Sequence, residues 1–294
     1  MKKITLSLKL IRPQQWVKNS FIFLPIFFSG KANQIMLLYD CFLAFVIFCL
    51  FASSIYVFND IIDADFDKLH PVKKNRPLAS GSLNKAYCYF LSLLLLISGI
   101  VIFIFSSLNK DIIIVLLSYY ILNIFYTLKL KKIAIVDVVV ISCGFLLRLM
   151  VGSISSGVIL SHWIVIMTFL LSLFLAFAKR RNEYIIYADS GIKSRENIIN
   201  YNKIFLDSSL TILATITIIS YINYTLSPEV VIRSNQNLYL TSLFVVLGLF
   251  RYLQQTMVDN ITGDPTGVLL KDRFIQFCIL CWLAFYVFFL YIKL

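Results

Sequence analysis

The sequence predicts an all-α polytopic membrane protein, a helical bundle of about nine transmembrane helices in one domain covering residues 1–294. Three observations carry that expectation. The 294 residues are 60% apolar and only 14% charged, and mean hydropathy is +0.85. Apolar windows of about 20 residues, the length that crosses a hydrocarbon core, recur from end to end and leave no polar block large enough for a separate soluble core.

Taken in order, the hydropathy and polar breaks place spans at 18–30, 35–58, 85–107, 110–128, 133–153, 161–178, 204–226, 237–257 and 273–293. The first is short for a full crossing at ~1.5 Å per residue and adjoins the amphipathic stretch KLIRPQQW. The N-terminal stretch has no long apolar core before Pro13 and no small-residue cleavage pattern, so it does not read as a removable signal peptide. Of the 27 Lys and Arg, 22 fall on the side that carries the N-terminus, four on the other, and Arg148 inside a span. By the positive-inside rule the N-terminus is cytoplasmic and the C-terminus is on the opposite side. The net charge of +12 is then mostly a topology signal, and it points away from nucleic acid. The six cysteines are scattered through predicted spans; Cys278-x-x-Cys281 lies in an apolar helix without a second pair, which fits a structural role.

Longer polar connections fall on the basic side, near 59–84, 129–132, 179–203 and 258–272. The first opens with NDIIDADFD. Carboxylates at mid-bilayer cost roughly 2.5–3.5 kcal/mol each, so this cluster must face water or cations. If the second span continues helically past Phe58, Asn59, Asp63 and Asp67 recur at i, i+4 and i+8, with Asp60 flanking them and Asp65 pointing elsewhere. Asn59, Asp60, Asp63 and Asp67 form a stripe suited to a hard cation such as Mg²⁺, which takes one or two carboxylates together with phosphate oxygens. A calcium-loop reading fails, because Lys68 and Lys74 stand where Gly and Glu are required. The plainer alternative is a solvated acidic helix end neutralised by neighbouring cations.

The following HPVKKNRP is expected to be an ordered non-helical loop folding back over the helix end, with His70 ordering it and Lys73 and Arg76 on phosphate oxygens. Two charges enter a later span: Asp137 and Arg148 are 11 residues apart, on roughly one helical face, and such groups turn to a polar cavity or a partner. Lys179, Arg180, Arg181 and Glu183 continue the sixth span to the surface. There one or two of them, Lys179 first, suit a phosphate contact, and the others suit anchoring against anionic headgroups.

These residues carry a resemblance. NDIIDADFD, followed by RPLASG at 76–81, is similar to the N-D-x-x-D-x-x-x-D signature of the UbiA superfamily of intramembrane prenyltransferases. RPQQWVKNSFIFLPIFF, HPVKKNRPLASG, YTLKLKKIAIVDV, GFLLRLMVG, FLAFAKRRNEY and DPTGVLLKD resemble one branch, the decaprenyl-phosphate phosphoribosyltransferase-like proteins. The resemblance implies Mg²⁺-dependent transfer of a 5-phosphoribosyl group from phosphoribosyl diphosphate to a polyprenyl phosphate. It makes Asp60, Asp63 and Asp67 catalytic, with Asp63 and Asp67 nearest the metal. It adds Tyr126, Lys131 and Asp137 through the branch pattern Y-x-x-x-L-K-x-x-x-x-x-D. It also sets Lys18, beside Trp16 and Asn19, at the lipid phosphate, and implies a bacterial cytoplasmic membrane with the site on the cytoplasmic face; a homo-oligomer is compatible with it. Two other readings stay open: an aromatic or quinone-precursor prenyltransferase using a prenyl diphosphate, and a non-enzymatic cation transporter using the same acids.

Overall fold

The computed structural model describes residues 2–69, 73–191, 193, 195–259, 267–268 and 271–291. Among them all regular structure is helical. The α-helices are α1 (Lys2–Ile11), α2 (Leu24–Phe28), α3 (Ile35–Leu69), α4 (Lys85–Ile104), α5 (Asp111–Leu128), α6 (Val136–Ser156), α7 (His162–Ser190), α8 (Lys203–Leu226), α9 (Pro228–Arg233), α10 (Ser242–Met257) and α11 (Arg273–Tyr291). Large apolar side chains lie on the outside, with Phe105 86%, Ile204 80% and Met36 75% exposed, as expected where the solvent is lipid. The chain is a multi-pass membrane protein.

Seven described helices, rather than nine, are long and apolar enough to cross a bilayer. The two remaining predicted spans are broken. Residues 18–30 divide between a 3-10 stretch, Pro13–Phe23, and the five-residue α2. Residues 237–257 divide between a 3-10 turn, Gln236–Thr241, and the 16-residue α10, about 24 Å long at 1.5 Å per residue. The predicted connection at 59–84 begins as helix, since α3 runs on to Leu69, and that at 179–203 begins as the last turns of α7.

The chain divides into two compact units, Met1–Ile133 with Cys143–Leu160, and Ala134–Ser142 with Ser161–Leu294. In the first, α3 packs along α4 and buries Phe48, Phe51, Ala52 and Val57. Small polar residues tie the pair: Ser54 Oγ donates to the Ser92 carbonyl at 2.8 Å, and Ser92 Oγ returns to the Ser54 carbonyl at 3.0 Å. Gly152 of α6 lies against the chain at Ile22, where a Cβ would come within 1.9 Å of the carbonyl oxygen.

In the second unit, Phe174 and Phe177 of α7 meet Leu206 and Leu210 of α8, with Tyr252 and Ile275 in the same cluster. Side-chain oxygens of Ser161 and Asn202 accept the N–H groups of Trp163 and Phe205, capping α7 and α8. Asp272 caps α11: its Oδ1 accepts the Ile275 N–H at 2.8 Å, and its Oδ2 accepts from Arg251 and Gln255. Asp264, the other acid of the predicted DPTGVLLKD motif, lies outside the described residues. All six cysteines are free, including Cys278 and Cys281 on α11.

Candidate active site

The acidic stripe is the last third of α3. Because that helix does not stop at Phe58, its 3.6-residue repeat puts Asn59, Asp60, Asp63 and Asp67 on one side. Asp60 and Asp67 are buried, whereas Asp65, 72% exposed, pairs with Lys68 at 2.8 Å and Lys85 at 3.7 Å.

The inward acids meet three cations from different parts of the first unit, Arg12, Arg76 and Lys131. Arg76 Nη1 donates to Asp60 Oδ1 at 3.0 Å and to Asp67 Oδ2 at 2.6 Å. Arg12 Nη2 donates to the same Oδ1 of Asp60, and Lys131 Nζ to Asp63 Oδ1. Asn59 orients Asp63, donating to its Oδ2 at 3.2 Å, and in turn accepts from Thr127 Oγ1 of α5 at 3.2 Å. Lys73 lies half-buried in a single 3-10 turn, Lys73–Asn75, whose carbonyl at Lys73 accepts the Arg76 N–H at 2.9 Å. The chain thus folds back over the end of α3 at Lys73–Arg76. His70, with Pro71 and Val72, lies outside the described residues.

Tyr126 is half-buried at the end of α5, beside Thr127. Lys18 is half-buried in the 3-10 stretch, while Trp16 donates from Nε1 to Ser53 Oγ at 3.0 Å. Arg148 is buried on α6. It donates to Asn19 Oδ1 at 2.8 Å, the Gly144 carbonyl at 2.7 Å and the Tyr119 hydroxyl at 3.2 Å, with the Phe48 ring 4.9 Å away. Asp137, on the same helix, enters a different network. Its Oδ1 accepts from the Tyr201 hydroxyl at 2.8 Å, and its Oδ2 stands 3.4 Å from Arg180 Nε. Arg180 also binds Glu183, which Arg195 holds at 3.1 Å. Burial pushes the Tyr201 hydroxyl well above the usual phenol range; the N–H of Ile135, which it accepts at 2.7 Å, pulls the other way, and the Asp137 charge adds to the rise. It therefore stays protonated and donates.

Lys179 is half-buried on α7, but the expectation that Arg180 and Arg181 anchor that helix to headgroups is not met. Both are buried, Arg180 in the Asp137 network and Arg181 on Asp207 and the carbonyl of Thr256. Sequence reasoning missed Arg12, Thr127, Tyr201 and Arg195 as partners of charged groups. For Arg12 a signal existed, since it immediately precedes Pro13, past which α1 cannot continue.

Whether the stripe fits a metal follows from its donors. Among the described residues, no three His, Cys, Asp or Glu side chains are grouped to hold an ion by themselves. The donors are all oxygens, however, and hard, and three cations compensate them. That set fits Mg²⁺ held by one or two carboxylates plus phosphate oxygens, rather than by a closed protein cage.

The described residues make an all-helical, multi-pass membrane protein in which a carboxylate stripe is met by guanidinium and ammonium groups. The profile of the UbiA prenyltransferase family matches residues 23–277, and the chain belongs to that family and is a transferase. The decaprenyl-phosphate phosphoribosyltransferase of Mycolicibacterium smegmatis is 31% identical, over 94% of this chain and 90% of that protein. The protein of the same name from Corynebacterium glutamicum is 30% identical, over 97% and 86%. Among solved structures, a UbiA homolog from Archaeoglobus fulgidus bound to DMAPP and Mg²⁺ superposes with a TM-score of 0.70 at 16% identity, covering 98% of this chain and 99% of that one. At that identity the likeness speaks to the fold.

Proposed function

We propose that the protein transfers a 5-phosphoribosyl group from phosphoribosyl diphosphate to a polyprenyl phosphate, releasing diphosphate, at the cytoplasmic face of a bacterial inner membrane. The reading is supported by the convergence of Arg12, Arg76 and Lys131 on the acids of α3, together with the names of the relatives that match nearly the whole chain.

The C1–O bond to the diphosphate breaks as an oxygen of the lipid phosphate bonds to C1, and negative charge grows on the departing diphosphate. Asn59, Asp60, Asp63 and Asp67 would hold Mg²⁺, which when bound supplies Lewis-acid stabilisation of that charge. Arg76 and Lys73 contact the remaining phosphate oxygens, and Lys131 orients Asp63. The lipid phosphate is itself the nucleophile, so no protein side chain needs to form a covalent bond.

Purified protein is to be incubated with Mg²⁺, labelled phosphoribosyl diphosphate and polyprenyl phosphates of several lengths. A labelled lipid is expected. Its absence with every acceptor, from folded protein that instead joins a prenyl diphosphate to an aromatic acid, overturns the reading.

A further inference from the structure

The described backbone enters the left-handed region at six positions, and four are glycines: Gly30, Gly81, Gly157 and Gly191. The exceptions are Ile135 and Arg12. Arg12 has φ 56° and ψ 59°, a conformation that strains any residue with a Cβ. It is the residue just past the end of α1, the position that glycine ordinarily takes, and its N–H closes the helix on the Leu8 carbonyl at 3.1 Å. The turn is fixed from α3 as well: Ser53 Oγ donates to the Ile11 carbonyl at 3.0 Å and accepts from Trp16 Nε1. Pro13 follows and cannot extend the helix.

A long cation at a glycine position is useful only for where its side chain goes. The Arg12 guanidinium passes the Tyr56 ring at 5.7 Å and reaches Asp60 Oδ1, the atom that also accepts from Arg76. Asp60 itself is buried, while the two arginines are partly exposed. Backbone strain held by surrounding contacts, at a residue whose side chain ends on a reactive group, marks a functional position.

The geometry points to Arg12 as a positioning residue that acts through Asp60. Its strained turn aims a second guanidinium at one oxygen of that carboxylate and fixes the direction in which the other lone pairs face. This rests on the reading of Asp60 as part of the Mg²⁺-diphosphate site. It adds that the N-terminal turn, which carries no acid of its own, sets the geometry of that site.

Arg12→Gly removes the guanidinium and the strain; Arg12→Ala removes only the guanidinium; Arg12→Lys keeps a charge. Thermal unfolding of the full-length protein in detergent is expected to place Arg12→Gly above Arg12→Ala. In both, the Mg²⁺ concentration for half-maximal turnover should rise about 10–100-fold, the usual cost of losing a partner behind a metal ligand, with partial recovery in Arg12→Lys. The thermal stabilisation of the protein by Mg²⁺ with inorganic diphosphate, a readout that needs no turnover, should be present in the wild type and weakened in both variants. Equal stability of the glycine and alanine variants, or a wild-type Mg²⁺ response in either, overturns the inference while the proposed reaction stands. A wild type stabilised by Mg²⁺-diphosphate but unable to make the labelled lipid overturns the proposed reaction and leaves Arg12 in its role. A wild type with no response overturns both.

Discussion

Asp137 and Arg180 stand 3.4 Å apart with neither side chain exposed. Such a pair is costly to assemble in an apolar interior and costlier to break, because the survivor keeps its charge without water. Asp137→Ala is therefore expected to destabilise the protein by roughly 3–5 kcal/mol, read as a lowered unfolding midpoint in detergent. Tyr201→Phe, which leaves the Ile135 N–H without its acceptor, should cost about 1–3 kcal/mol.

On α3 the prediction concerns turnover. Asp63→Asn keeps the shape of the side chain but removes the charge that Lys131 meets. The proposed phosphoribosyl transfer should fall at least about 100-fold, the scale of losing one electrostatic contact to developing charge, with the unfolding midpoint little changed. Near-normal transfer would remove Asp63 from the proposed metal site.

Gly152→Ala tests packing rather than chemistry. The added Cβ meets the Ile22 backbone carbonyl at 1.9 Å, which no rotamer change relieves, so α6 must shift away from the 3-10 stretch. A loss of about 1–3 kcal/mol or more is expected, measured as unfolding or as reduced yield of monodisperse protein.

Asp272 provides a pH test. Burial raises its carboxyl, but the N–H groups at the start of α11 and the Arg251 guanidinium outweigh this and hold it below its ordinary 3.8. A depressed folded pKa means that its contribution is present above about 3.8 and fades as pH falls through the folded value. Asp272→Asn should therefore unfold at a lower temperature than wild type at neutral pH, and the gap should narrow in acid below about pH 3.8.

Much of this was legible in the sequence, and the exceptions have physical reasons. Hydropathy counts carbons and does not register that Pro13 opens a 3-10 stretch running to Phe23, or that Pro25 stands in the first turn of the short α-helix that follows. The spacing of Asn59, Asp63 and Asp67 identified their common face, because helical periodicity is local information. Their cationic partners Arg12 and Lys131 are 48 and 68 residues from the acids they meet, and tertiary packing joins them. Arg180 and Arg181 read as surface charge because they end an apolar run; their burial depends on Asp137 and Asp207, which no local pattern connects to them. Asp137 and Arg148 share a helical face by count, yet one binds Tyr201 and the other Asn19.

The 35 residues of α3 extend about 52 Å, some 20 Å more than a hydrocarbon core is thick. The acids are thus mounted on a rod whose far end is embedded in lipid, and their bearing is a matter of register. One residue inserted near Ile47 would turn the rest of α3 by about 100°, swinging Asp60 away from Arg12 and Asp63 away from Lys131 without altering any of the four. A four-residue insertion, close to one full turn, would return the acids to nearly the same bearing but about 6 Å further along. Paired one- and four-residue insertions in the apolar part of α3 therefore separate the site's dependence on rotation from its dependence on height.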